Sequence, residues 1–243
     1  MRTVLGGIPL VGLALGVACS RPASETVKRP ATVPAAIVES SGGKQISTAG
    51  SPLDQPLVVQ VNDASGAPVA GASVWFRSAG NAAFLPAYGI TGADGQFTTA
   101  VTLPSMAGRY QITAATKGAE GKTIEMKVEE RALGFEENLG RQLSDRYCAR
   151  CHDPESTPER VSNSDNLTAK PHAFSDGAFL NKMTNADLSA IIGHGGPGLG
   201  KSAEMPPYGA VLNRAGINSL IAYIRAVSDP PYQPPREVVY GQK

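Results

Sequence analysis

The sequence predicts a two-part chain, an all-β sandwich followed by an all-α domain, and three observations lead to it. Between residues 36 and 131, short runs of β-branched and aromatic residues alternate with turn formers. From residue 134 to residue 228, apolar residues recur at helical spacing instead. At the end of the first helical run stands the segment Cys148-Ala149-Arg150-Cys151-His152, which has no counterpart elsewhere in the chain.

The chain begins with one basic residue, Arg2, and an apolar run from Val4 to Val17 that ends at Ala18-Cys19. The run is short for a bilayer span but fits the apolar region of an export signal. Residues 1–19 resemble a bacterial lipoprotein signal, in which Cys19 becomes the lipidated first residue. Gly16 stands where leucine is usual, with Leu15 one position earlier. An ordinary signal peptide cleaved nearby is the other reading. Lipidation of Cys19 implies firm anchoring without a transmembrane helix. Residues 20–35 carry Pro22, Pro30 and Pro34 among small and charged residues, have too little apolar content to pack, and read as a flexible linker.

In the β-segment, 36–131, Leu57-Val58-Val59-Gln60-Val61 leads into the turn Asn62-Asp63-Ala64-Ser65-Gly66. Val74-Trp75-Phe76 follows a second turn, Ala93-Asp94-Gly95 precedes Gln96 to Val101, and Gly108 opens the run Arg109 to Ala115. Runs at this spacing favour a sandwich. Strand alternation sends Trp75 and Phe76 to opposite faces, so one of them belongs to the core. The order of turn and core residues resembles the bacterial Ig-like domains of invasin- and intimin-type surface proteins. That resemblance implies a fold more than a function, and a spacer or docking module is the expectation.

In the helical segment, the first helix is expected from Phe135 to Tyr147, with Phe135, Leu139, Leu143 and Tyr147 on one face. A middle helix, Asn185 to Gly193, starts at Thr184 with Asp187 three residues on, a capping-box signal. The last helix runs from Ala215 to Val227 behind the cap Asn213, with Ile217, Leu220, Ile221 and Ile224 on its buried stripe. Residues 229–243 open with Asp229-Pro230-Pro231-Tyr232, which stops the helix and begins an extended tail.

Cys148 and Cys151 at i and i+3 lie one helical turn apart on one face, and His152 follows at once. This is the spacing at which a chain attaches haem through two thioethers and ligates its iron through imidazole. A zinc site needs two further ligands, and the remaining cysteine, Cys19, is remote. A redox dithiol has no use for the histidine and is expected beside a strand–helix–strand pattern, which does not surround this motif. The Gly/Pro-rich loop Gly195 to Tyr208 carries Met205 directly before two prolines, which fix the backbone and offer no N–H. Met205 is the expected second axial ligand, whereas Met183, among Phe179, Leu180 and Leu188, reads as core packing. His194 and His172 are the other histidines, and His194 is the alternative distal ligand.

Residues 134–228 resemble a class I, mono-haem cytochrome c domain. The resemblance implies one covalent haem c on Cys148 and Cys151, iron held by His152 and Met205, and first and last helices that touch at Gly140, eight residues before Cys148. It also implies a proline carbonyl that orients His152, for which Pro158 and Pro171 are both candidates. Asp153 stands where the family commonly has glycine, and Ser144 replaces a frequent aromatic.

The expected function is therefore electron transfer between redox partner proteins, by an exported, periplasmic or cell-surface protein held on a membrane by lipid. It is not an enzyme on this reading. A haem enzyme or small-ligand sensor with an open distal site is one alternative, and a surface adhesion protein built on the Ig-like domain is another. A formal net charge of +1 with no basic stretch excludes nucleic acid as a partner class. From Leu133 to Asp229 nine Lys/Arg stand against eleven Asp/Glu, so no strongly basic face steers the helical domain to an acidic partner.

Overall fold

A computed structural model describes residues 32–153 and 161–234. The signal segment with Cys19, the linker up to residue 31, Pro158 and the tail beyond residue 234 lie outside the described residues. From Val33 onward, the strands and helices belong to one compact unit.

The first part forms nine strands: β1 Ala36–Ser41, β2 Ile46–Thr48, β3 Leu57–Asn62, β4 Ser73–Ser78, β5 Ala83–Leu85, β6 Tyr88–Ile90, β7 Gln96–Thr102, β8 Gly108–Lys117 and β9 Thr123–Leu133. They make two sheets, ordered β1-β3-β7-β5 and β2-β9-β8-β4-β6. All neighbours are antiparallel except β2 and β9, which run parallel. Strand β3 shows why the sheets face each other: Leu57, Val59 and Val61 are fully buried, and the intervening Val58 and Gln60 are half-exposed. Phe76 joins this core, stacked on Phe84 and Phe97, while its neighbour Trp75 turns to the other face beneath the Lys117 ammonium.

The turns follow their side chains. Asp63 accepts hydrogen bonds from the Ser65 and Ala67 amides, and Gly66 takes the left-handed backbone that closes the turn. At Gly95 the left-handed backbone coincides with a close approach, since a Cβ there would sit 2.9 Å from the Val61 carbonyl oxygen. Strand β9 is absent from the sequence reading because charged residues interrupt it. It nevertheless spans eleven residues paired along β8 and carries the fully buried carboxyl of Glu130. Backbone amides of Lys44 and Gln45 donate to that carboxyl at 3.2 and 2.6 Å, and burial pushes its pKa up to about 7.

Gly134 alone separates β9 from the helical part. The helices are α1 Phe135–Tyr147, α2 Ala149–His152, α3 Gly177–Leu180, α4 Asn185–His194 and α5 Arg214–Val227. Helix α1 has the expected bounds. Its expected stripe is corrected, however: Phe135 is 87% exposed and Leu139 37% exposed, and only Leu143 and Tyr147 pack into the helical core. The N-terminal half of α1 meets the sandwich through polar groups instead, with Thr48 donating to Asn138 and Arg141 to the Ile46 carbonyl.

Helix α4 has both halves of its capping box, and Asn213 accepts from the Gly216 amide to start α5. Helices α1 and α5 cross at Gly140, where a Cβ would lie 2.0 Å from the Ser219 carbonyl oxygen. The core beneath them contains Leu188, Ile192, Leu220, Ile221 and Ile224, with Met183 packed against it. The described part of the tail, 229–234, lies back on the helices, with Tyr232 stacked over the Arg225 guanidinium at 4.0 Å.

Candidate functional site

Cys148 breaks the chain between α1 and α2. Its amide still donates to the Ser144 carbonyl, its own carbonyl accepts from Cys151 and His152, and its φ of −119° bends the segment into the short turn that follows. Both thiols are free and half-buried. With His152 they line a cavity of about 350 Å³ whose far reaches are the apolar side chains of Leu180, Ile192, Leu220 and Ile224. Burial, reinforced by Cys151, pushes the Cys148 thiol up to about 12. A thiol so raised makes a poor thiolate nucleophile, which weighs against a redox dithiol.

His152 is oriented by a group that the sequence reading missed. Its Nδ1 lies 2.7 Å from the carbonyl oxygen of His172. A carbonyl only accepts, so Nδ1 carries the proton and Nε2 keeps its lone pair. Burial holds the imidazole below its usual range and favours the neutral ring. Phe174 stacks on the ring at 4.8 Å and packs edge-on against Tyr223 of α5. The orienting carbonyl therefore belongs to neither proline candidate but to the residue after Pro171. The only signal for it in the sequence was that proline, one position away.

Met205 lines the same cavity from the loop after α4. Its carbonyl accepts from the Gly196 amide at 2.9 Å, and the chain just beyond it is pinned to the end of α4, with the Tyr208 amide donating to Ile192 and the Gly209 amide to Gly193. Glycine is required at 195 and 196: their Cβ atoms would lie 2.7 Å from the Met205 carbonyl oxygen and 1.8 Å from that of Ser202. Across the cavity mouth the Glu204 carboxylate accepts from the Thr168 and Ala169 amides, which hold it below the usual carboxylate range. The Tyr208 hydroxyl donates to the Tyr147 carbonyl and ties the methionine loop to α1. Neither Glu204 nor Tyr208 was singled out as a site residue in the sequence.

His194 ends α4 exposed and does not line the cavity. His172 does line it, but its ring is committed to Asp176 at 2.8 Å and stacked on Phe179. The two thiols, the free Nε2 of His152 and the Met205 thioether thus converge on one apolar cavity, and this donor set fits a covalently tethered haem. Among the described residues no group of three or more His, Cys, Asp or Glu side chains is arranged for a bare metal ion.

Residues 54–129 match the model of the bacterial Ig-like domain (group 1), and residues 136–224 match that of cytochrome C oxidase, cbb3-type, subunit III. No curated protein matches the chain. Among solved structures, the adhesin InvE of Yersinia pseudotuberculosis is 20% identical, with 42% of this chain and 32% of that one covered and a TM-score of 0.31. The D00-D0 domain of intimin is 14% identical over 43% of this chain and 50% of its own, with a TM-score of 0.31. The integrin-binding protein invasin is 21% identical, with 41% of this chain and 19% of that one covered, at a TM-score of 0.30. This chain therefore spans half or less of each of these structures. The match to the cytochrome model covers the cavity-lining segment, so the chain is similar to a bacterial Ig-like domain over residues 54–129 and to cytochrome C oxidase, cbb3-type, subunit III over residues 136–224.

Proposed function

We propose that the chain is a one-electron carrier with a single haem c of class I type, joined to Cys148 and Cys151 and ligated by His152 and Met205. Cys148 and Cys151 would hold the haem through two thioethers, and the bound haem would supply the Fe(II)/Fe(III) couple. The protein's part is to hold His152 as the neutral Nδ1–H tautomer, to present the thioether of Met205 from a Gly/Pro loop, and to line the site with apolar side chains that exclude water. The observation that carries the reading is the hydrogen bond from His152 Nδ1 to the His172 carbonyl, which leaves Nε2 as a ligand beside two free thiols.

Export fits both matched families. Residues 1–19 act as a lipoprotein signal, lipid on Cys19 anchors the chain, residues 20–35 are the tether, and the working location is the periplasm or the cell surface. Among the described residues no helix is long and apolar enough to cross a membrane. Redox proteins in the same compartment are the partners. The match to an Ig-like domain also accommodates a surface-adhesion role, in which the haem would have no redox partner.

The test is the absorption spectrum and mass of protein made with haem-maturation machinery. Covalent haem is expected in the unmodified chain and not in Cys148→Ser/Cys151→Ser. The weak far-red band of methionine-ligated ferric haem is expected, and Met205→Ala abolishes it. Absence of that band from the unmodified chain, with ready carbon monoxide binding to the ferrous form, overturns the closed site in favour of an open-site enzyme or sensor.

A further inference from the structure

We infer that the Ig-like sandwich positions the iron ligand: through Arg109 and Arg131 it clamps the C-terminal end of α5, and so sets the segment whose carbonyl holds His152. This rests on the haem reading above and adds a role for the β-domain beyond spacing.

The clamp starts from an unmet need. The last carbonyls of an α-helix have no partner within it and form the negative end of its dipole. At the end of α5 those carbonyls point at the sandwich. Arg109 of β8 donates to the Ala226 carbonyl at 3.1 Å and to that of Ser228, and Arg131 of β9 donates to that of Val227. Both guanidinium groups are mostly sheltered, and Glu129 lies between them, 2.6 Å from Arg109 and 3.7 Å from Arg131. Planar, fork-shaped donors gripping adjacent carbonyls fix orientation as well as distance.

The clamped residues lead directly to the iron ligand. Ser228 is fully buried. The next residue, Asp229, donates its amide to the Ser175 carbonyl at 2.8 Å and accepts from the Gly177 amide at 3.0 Å. The approach is close, since a Cβ on Gly177 would lie 2.3 Å from the Pro230 carbonyl oxygen. Only two residues, Ala173 and Phe174, separate Ser175 from His172, whose carbonyl accepts the His152 proton. That short piece is stiffened at both ends. The carboxylate of Asp176 holds the His172 ring through one oxygen and the Phe179 amide through the other, and the ring lies flat on Phe179 at 3.6 Å. Phe174, inside the piece, stacks on His152 and abuts Tyr223 of α5, a second tie to the same helix. A shift at Ser228 thus reaches His172 through hydrogen bonds, ring contacts and one short turn.

The strength of a proximal Nδ1–H hydrogen bond sets imidazole basicity, and through it the properties of the metal. The experiment uses the full-length holoprotein with Arg109→Met/Arg131→Met, which keeps apolar side chains of comparable length but removes the donors. Exchange of the His152 ring N–H, followed by NMR, is expected to quicken roughly fivefold, the factor for one weakened hydrogen bond. The reduction potential and iron–histidine vibration are expected to shift with it, while the far-red methionine band persists. The lysine double variant restores part of the effect. Arg77→Met, which breaks an exposed sandwich pair with Glu125, moves none of these readouts. Unchanged exchange and potential in the folded methionine double variant overturn the inference.

Should that variant not fold, native-state exchange in the unmodified protein decides. The Asp229 and Gly177 amides and the His152 ring proton are expected to open as one unit, and independent opening of the ring proton overturns the inference. Absence of covalent haem from the unmodified chain overturns the functional reading instead, and it is read before any variant is made.

Discussion

Replacing Gly140 with alanine tests how the two terminal helices meet. The added Cβ would lie 2.0 Å from the carbonyl oxygen and 2.6 Å from the carbonyl carbon of Ser219, and 2.7 Å from the Tyr223 Cβ. The obstructing atoms at Ser219 are backbone, so no rotamer change relieves them. Reaching an ordinary separation of roughly 3.5 Å requires about 1.5 Å of movement between α1 and α5. That movement opens the packing around Leu220, which is buried against both helices' neighbours. Overpacking of this kind costs about 1–3 kcal/mol, and here the upper half of that range applies because a helix rather than a side chain must yield. The better helix propensity of alanine returns about 1 kcal/mol. A net loss of about 1–2 kcal/mol lowers the melting midpoint by roughly 4–16 °C for a domain of this size, followed by circular dichroism. Gly193→Ala in α4 is the control: a Cβ there meets nothing within 4 Å, so it is expected to be neutral or stabilising by up to about 1 kcal/mol. A Gly140→Ala protein as stable as the original would refute the claim that helix contact demands glycine.

Other outcomes follow from the same structure. Glu130 has its pKa raised by burial from an ordinary 4.5 to about 7, so the native state binds the extra proton. Its contribution is fully present below about pH 4.5 and is lost as pH rises through about 7. Glu130→Gln should flatten the fall in stability over that window, on the order of 1–3 kcal/mol, in denaturant melts at stepped pH. Asn213→Ala removes the acceptor for the Gly216 amide and should cost about 1 kcal/mol, read in a urea titration. Glu204→Ala frees the Thr168 and Ala169 amides at the cavity mouth. With haem bound through the proposed Met205 ligation, it is expected to quicken release of Met205 from ferric iron, seen as faster uptake of added imidazole, and an unchanged rate would show that the bridge does not hold the loop.

Local chemistry made much of this protein legible in its sequence. The bounds of α1, the capping box of α4 and the cap of α5 are signals written within a few residues, and the structure places them as read. The cysteine pair with its histidine, and a methionine before two prolines, likewise stand out through spacing and backbone stiffness, and all four line one cavity. Strand β9 was illegible because its pairing along β8, not its own composition, makes it a strand. The exposed Phe135 broke a helical stripe because apolar periodicity does not say where a partner surface ends.

The order of the two parts, three of the helical segments and the four side chains that line one cavity are thus legible in the sequence. The helical segments are fixed by interactions between near neighbours, and the four side chains are marked by residue type and local spacing. Tertiary structure alone decided that the His172 carbonyl orients His152, that His194 stays outside the cavity, and that Arg109 and Arg131 grip the end of α5. These contacts join residues from 20 to more than 100 positions apart. Backbone carbonyls, identical at every position in the sequence, are selected as partners only when folding brings them into reach.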